Sequence, residues 1–276
     1  IGYKETIDRF NKDYEGKYHV TPITTNLEEE MPNLKWAKIA KQELKIPVSV
    51  VSAVMTPEMA DEIIAKGYVD MVAFGRTLLA DPNWPKKALE GHPEDIVPCL
   101  RCSNCYHIST DHWNVGCSVN PRYHNEEFIP SGLDLPKAKE KKHVVIVGGG
   151  PAGMKAAMTA YDRGHQVTLL EKESELGGML RFIEKEAHKE EVKRLLNYYR
   201  TQMAKRKIEV RLNTEATPEF IKELQPDSLI VALGAVERIL PIPGIDGSKV
   251  QLATKAIMHP EQLGQEIVIL GGGSIG

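Results

Sequence analysis

Hydrophobic and polar positions alternate along this chain in blocks that predict strands and helices in turn. PVSVV (47–51) is a continuous β-branched run, the pattern of a strand buried on both faces. Thr56 and Pro57 then supply an N-cap and a first helical position, and Gly67 closes the helix EMADEIIAK. VDMVAF (69–74) predicts a second buried strand, ending at Gly75-Arg76. A helix over 32–44, carrying Trp36, Ile39, Ala40 and Leu44 on one face, precedes the pair. Residues 80–98 read as a Pro-rich exit, and 130–143 as a linker with Pro, Gly and a run of lysines. A second alternation starts at His143. VVIVG is a strand, Pro151 to Arg163 a helix closed by Gly164, and QVTLLE a strand. A long helix spans roughly 186–206, with Val192, Leu195, Leu196, Tyr199 and Met203 at helical spacing. IEVRL, a short helix from Thr217-Pro218, the buried strand SLIVALG, a PIPG loop and the strand EIVIL complete the series. Strand–helix–strand units at this spacing predict parallel pairing and an α/β fold.

The 276 residues suit one to three domains, and the net charge of −3 calls for neither nucleic acid nor an anionic membrane. No apolar run approaches the roughly 18 residues of a membrane span. The chain begins at Ile1 and closes on GGGSIG, so an internal piece of a longer polypeptide is the expectation.

All four cysteines fall within 19 residues, as Cys99, Cys102, Cys105 and Cys117, spaced C-x2-C-x2-C-x11-C. Cysteines three apart bridge poorly, which argues against disulfides. Structural zinc is commonly held by four thiolates, but its ligands usually come as two separated C-x2-C pairs. Three thiolates at x2, x2 wrap one compact corner and suit a 4Fe–4S cluster, each iron taking one thiolate. His107 and His112 lie inside the window but are not needed to complete the set. Cysteines committed to metal fit a reducing cytoplasm.

Gly148, Gly150 and Gly153 form G-x-G-x-x-G between a strand and a helix. The first glycine allows the tight turn, the second lets backbone approach a pyrophosphate, and the third lets helix and strand pack closely. Pro151 and Ala152 open the helix whose free N–H groups and dipole favour that anion. Glu171 closes the next strand 23 residues after Gly148, placed to accept from a ribose hydroxyl. Lys172, the pair Gly177-Gly178 and the strand ending in Gly234 favour FAD over NAD as the nucleotide. Gly271, Gly273 and Gly276 begin a second turn of the same kind, expected to bind NAD(P)H.

Together these segments resemble the Old Yellow Enzyme-like NADH:flavin oxidoreductases, in the long branch with 2,4-dienoyl-CoA reductase, 2-enoate reductases and trimethylamine dehydrogenase. Residues 51–91 (VSAVMTPEMADEIIAKGYVDMVAFGRTLLADPNWPKKALEG) look like the last strands of that family's barrel. CLRCSNCYHISTDHWNVGCSVNPRYHNE looks like its iron–sulfur loop, and VVIVGGGPAGMKAAMTAYDRGHQVTLLEKESELGGML like its FAD- or ADP-binding domain.

The resemblance implies five regions: the C-terminal part of an FMN-type (β/α)8 barrel (1–90), an iron–sulfur segment (91–130), a linker (131–142), a Rossmann-like FAD or ADP domain (143–265), and the start of a NAD(P) domain (266–276). It implies FMN phosphate on the loops Ser52-Ala53-Val54 and Gly75-Arg76, which matches where barrels hold phosphate. Arg76 can bond phosphate oxygens bidentately. Family members usually show glycine where this chain has Ser52. Tyr18 and His19 lie where enoate-type members place active-site residues able to protonate a substrate beside a flavin.

The implied activity passes electrons from NAD(P)H through FAD and the cluster to FMN, and then to a small-molecule substrate with an activated C=C bond. An amine dehydrogenase of the same family, or an FAD- or ADP-binding electron-transfer module without substrate chemistry, are the alternatives. A homo-oligomer is left open for the full-length protein. A complete barrel takes about 250 residues, so this chain by itself is expected not to be a competent enzyme.

Overall fold

The computed structural model describes residues 29–106, 115–130 and 135–271. The chain divides near residue 131 into two compact units.

In the first unit, helix α1 (Leu34–Glu43) leads into strand β1 (Ser49–Val51), helix α2 (Pro57–Ala65) and strand β2 (Met71–Ala73). The strands pair in parallel, with Val50 opposite Val72. Thr56 caps α2 by accepting from the Met59 N–H at 3.3 Å, and Gly67 turns the chain with φ +67°. Ala37, Val48, Val50, Val54, Ile63 and Val69 form the core between helices and sheet. Asp70 ties α1 to the sheet: it accepts from the Val48 N–H at 2.8 Å and from Lys41 Nζ at 2.6 Å.

Two expectations change here. The strands were expected to be buried on both faces, yet Val51 is 53% exposed and Met71 51%. Within β1 and β2 only Val50 is fully buried, because α1 and α2 cover one face. The Pro-rich stretch is not a plain exit. It holds α3 (Arg76–Ala80), α4 (Trp84–Leu89) and a 3-10 turn (Pro93–Asp95). Pro85 is tolerated because it falls in the first turn of α4. Trp84 is buried with its ring 4.5 Å from that of Phe74.

Asp81 fastens this stretch. Its carboxylate, 3% exposed, accepts from the Asn83 N–H at 3.0 Å, the Val97 N–H at 2.9 Å and Lys87 Nζ at 2.7 Å. The segment that carries Cys99 therefore leaves the helices at a fixed point.

The second unit is a four-stranded parallel sheet: β3 (His143–Val147), β4 (Gln166–Leu170), β5 (Glu209–Arg211) and β6 (Ser228–Val231), in the order β5-β4-β3-β6. Helix α5 (Pro151–Asp162) connects β3 to β4. The short α6 (Leu180–Ile183) and the long α7 (Glu190–Lys205) lead to β5, and α8 (Pro218–Leu224) leads to β6. Val145, Ile146 and Leu169 are fully buried, as the run of apolar residues in central strands requires, and so is Leu196 of α7. Arg206, capping α7, holds Asp162 at the end of α5 with two hydrogen bonds of 2.8 and 2.9 Å. Helix α9 (Ala253–Met258) follows β6.

SLIVALG was expected to be buried, but β6 is the sheet edge and Val231 is 62% exposed. EIVIL does not form a strand: Ile267 to Leu270 have exposed side chains and no paired neighbour among the described residues. A β-branched run favours a strand only where a partner supplies the ladder. Among the described residues no helix is long and apolar enough to cross a membrane.

Asp81→Ala is expected to destabilise the first unit by about 2–4 kcal/mol, because it strands two backbone donors and takes the carboxylate from the Lys87 ammonium, which keeps its bond to the Asp95 carbonyl oxygen. A urea unfolding curve checks this. Wild-type stability would show that the carboxylate is not the fastening.

Candidate functional site

The second unit builds a phosphate-sized turn where the chain reverses across the sheet. From β3 the chain runs outward to β4 and β5, then returns to β6 on the other side of β3. Ligands of open parallel sheets bind at such a reversal, beyond the carboxyl ends of the strands. Gly148 leaves β3 there with φ +105°. A Cβ on Gly148 would stand 2.3 Å from the Ala232 carbonyl oxygen, and one on Gly153 would stand 1.8 Å from the Gly148 carbonyl oxygen. The turn therefore admits only glycine at both positions. Gly150 is the N-cap of α5, and Pro151 follows at N1 with Ala152 behind it. The Gly177-Gly178 pair lies against this turn. The Gly177 N–H donates to Gly149 O at 2.9 Å, and a Cβ on Gly178 would come within 2.9 Å of Gly150 Cα. That is the close backbone approach a dinucleotide cradle needs.

Glu171 is 7% exposed and accepts from the Gly149 N–H at 2.6 Å and the Glu173 N–H at 2.9 Å. A ribose hydroxyl was its expected partner; here it holds the turn itself. A carboxylate has about four acceptor positions, so capacity for a hydroxyl remains. Lys172 points to solvent beside Glu173. Gly234 has φ +71° beyond β6, with open space beside it. Gly271 has φ +111°; Gly273 and Gly276 lie outside the described residues, as do Tyr18, His19, His107 and His112.

The first unit brings the four cysteines to one small cavity, lined also by Arg76 and Ser103. Arg101 and Ser103 both take positive φ, +49° and +58°, which curls the loop that brings Cys99, Cys102 and Cys105 to the cavity. The Arg101 N–H donates to Cys99 Sγ at 3.4 Å, and Cys102 Sγ lies 3.3 Å from Ser118 Oγ. Arg76 Nη1 donates to Ser103 Oγ at 3.2 Å.

Burial pushes the Cys99 thiol up to about 11, against the pull of the Arg101 N–H and the Arg76 charge. Burial likewise raises Cys105, and the neighbouring Cys117 raises both. Four thiolates at one place need a cation among them. Four sulfur donors lining one cavity fit a metal group held by four thiolates.

A second cavity, about 440 Å³, adjoins the first. Cys99, Cys105 and Arg76 line both. Its other walls are the C-terminal ends of β1 and β2, with Ser52, Ala53, Gly75 and Arg101 among them. Ser52 and Ala53 have φ of +106° and +52°. The position that family members fill with glycine thus has a glycine-type backbone here. The Ser52 hydroxyl is buried without a hydrogen-bond partner. An orphaned hydroxyl, a guanidinium and strand-end backbone facing one cavity fit a phosphate group. The sequence singled out neither Arg101 as a site residue nor the wall shared by the cavities. The signal available was an arginine standing between two ligand-type cysteines.

Comparison with known proteins accounts for both units. Residues 5–95 match the NADH:flavin oxidoreductase / NADH oxidase family. Residues 119–222 and 142–276 match the pyridine nucleotide-disulphide oxidoreductases. The chain is 36% identical to NADH oxidase of Thermoanaerobacter brockii, across 95% of this chain and 42% of that protein. It is 36% identical to cinnamate reductase of Clostridium sporogenes, across 88% of this chain and 36% of that protein. A solved 2-naphthoyl-CoA reductase complexed with 2-naphthoyl-CoA superposes with a TM-score of 0.82 at 34% identity, covering 88% of this chain and 37% of that one. The chain thus spans about two fifths of the length of the curated relatives it matches. Its two halves match, in the same order, the flavin and pyridine-nucleotide halves of one enzyme family, and the chain belongs to the Old Yellow Enzyme-like NADH:flavin oxidoreductases in their long form.

Proposed function

We propose that this chain is the electron-relay portion of a flavin- and iron–sulfur-dependent oxidoreductase that uses NAD(P)H to reduce an activated C=C bond. The carrying observation is the shared wall: Cys99, Cys105 and Arg76 line both the four-cysteine cavity and the larger cavity at the strand ends. When bound, the groups supply single-electron storage at the cluster and hydride chemistry at the flavins.

On this reading Cys99, Cys102, Cys105 and Cys117 hold a 4Fe–4S cluster. Ser52, Ala53, Gly75 and Arg76 hold the phosphate of FMN at the end of a (β/α)8 barrel. In the second unit, a Rossmann-like domain, the turn from Gly148 to Gly153 receives the pyrophosphate of FAD or ADP on the N-terminus of α5. Glu171 accepts from the ribose, with Lys172, Gly178 and Gly234 along the cofactor. Gly271, Gly273 and Gly276 open the NAD(P)H site, and Tyr18 or His19 supplies the substrate proton.

Cinnamate and 2-naphthoyl-CoA, named for two of the similar proteins, both carry unsaturated carbon conjugated to an acyl carbonyl. That favours enoate- or acyl-CoA-type substrates over amines. The reduced cysteines the cluster needs favour a cytoplasmic enzyme.

Anaerobic reconstitution with iron and sulfide, followed by absorption and EPR spectra, tests the metal reading. About four irons per chain and a reducible low-potential signal are expected. A cluster-free protein with one stoichiometric zinc would remove the relay. Cys105→Ser is expected to cost most of the iron while leaving FAD or ADP bound, since the nucleotide turn belongs to the other unit.

Gly153→Ala forces a Cβ onto the Gly148 carbonyl oxygen. It is expected to abolish nucleotide binding and to destabilise the second unit by at least about 2 kcal/mol, within the range seen for overpacked cores. Calorimetry with added FAD checks both; undiminished FAD affinity would contradict the assignment of the turn.

A further inference from the structure

Arg101 stands between Cys99 and Cys102 in the run C-L-R-C. Its backbone takes φ +49°, a conformation that costs any L-residue more than glycine. Its side chain is 2% exposed. A guanidinium stays charged in proteins, so this side chain brings a full positive charge to the cavity it lines. Nη2 donates to the Glu29 carbonyl oxygen at 3.2 Å, which fixes the direction of the side chain. Arg101 lines the 440 Å³ cavity that Ser52 and Arg76 also line. Three walls of that cavity, Cys99, Arg101 and Cys105, therefore come from the cysteine loop rather than from the strands.

We propose that Arg101 is a flavin-binding residue supplied by the cluster loop, so that FMN affinity depends on the cluster being in place. This rests on the reading above, in which the larger cavity takes FMN and the thiolates take the cluster. Two guanidiniums, Arg76 from the start of α3 and Arg101 from the loop, answer the phosphate dianion with charge-assisted hydrogen bonds. Metal–thiolate bonds supply the free energy that orders such a loop. Bonds to the flanking Cys99 and Cys102 would hold Arg101 at the cavity wall more firmly than its hydrogen bond to the Glu29 carbonyl oxygen does alone. By linkage the dependence is mutual: bound FMN slows loss of the cluster.

The test uses the full-length protein, purified anaerobically, freed of FMN and titrated with FMN by flavin fluorescence. Wild type is compared with its iron-stripped form, and with cluster-replete Arg101→Gln and Arg101→Lys. FMN binding is expected to weaken roughly tenfold to a hundredfold in the stripped protein and in Arg101→Gln, the range for losing a charged hydrogen bond. Arg101→Lys is expected to fall between. Equal affinity in wild type and iron-replete Arg101→Gln, or equal affinity with and without iron, overturns the proposal. If Arg101→Gln fails to hold iron, cluster-replete Arg101→Lys is compared with cluster-replete wild type: weaker FMN binding by the variant supports the role, and equal binding removes it. Cluster-replete wild type that binds no FMN overturns the flavin reading itself.

Discussion

Four sulfurs directed at one enclosed space set the terms for the first unit. As thiols they could sit there unremarked; as thiolates they repel one another, and burial already disfavours the charge at Cys99. Only a cation shared among them reverses that balance. Much nearby structure serves the arrangement. Asp81 fixes where the chain departs toward Cys99, positive φ at Arg101 and Ser103 curls the loop, and Arg76 reaches across to Ser103. Asn120 donates to the Leu79 carbonyl oxygen at 2.8 Å, tying the segment after Cys117 back to α3. The same loop walls the larger cavity, so on the proposed reading the metal and flavin sites share residues rather than a separate connector.

The second unit rests on a different constraint, the exclusion of side chains from a backbone crossing. Gly148 lies against Ala232, Gly153 against Gly148, and Gly178 against Gly150. Three strands and a loop converge within a few ångströms, and Glu171 bonds the turn from beneath. The sheet order puts this crossing at the strand reversal, where a ligand can reach free N–H groups. The cradle is formed by the chain alone.

Much of this was legible in the sequence because it is local. Thr56-Pro57, Gly67 and Pro151 act through their own backbone, so the helix starts and ends fell close to expectation. The cysteine spacing and the glycine turn are similarly short-range. What was missed depends on partners distant in sequence. SLIVALG and EIVIL have strand composition, but neighbours decide burial: one became an exposed edge and the other did not pair. Trp84 made a helix of a stretch that its prolines marked as loop, by burying its ring against Phe74. The hydrogen bonds of Glu171 to Gly149 and Glu173, and the inward course of Arg101, are tertiary facts that no spacing rule contains.

X-ray absorption on the anaerobically purified protein tests most directly whether the four cysteines hold a cluster that can serve the adjoining flavin cavity. The account predicts an iron edge whose fine structure shows a sulfur shell and an iron–iron shell together. A zinc edge with a single sulfur shell at about 2.3 Å would contradict it.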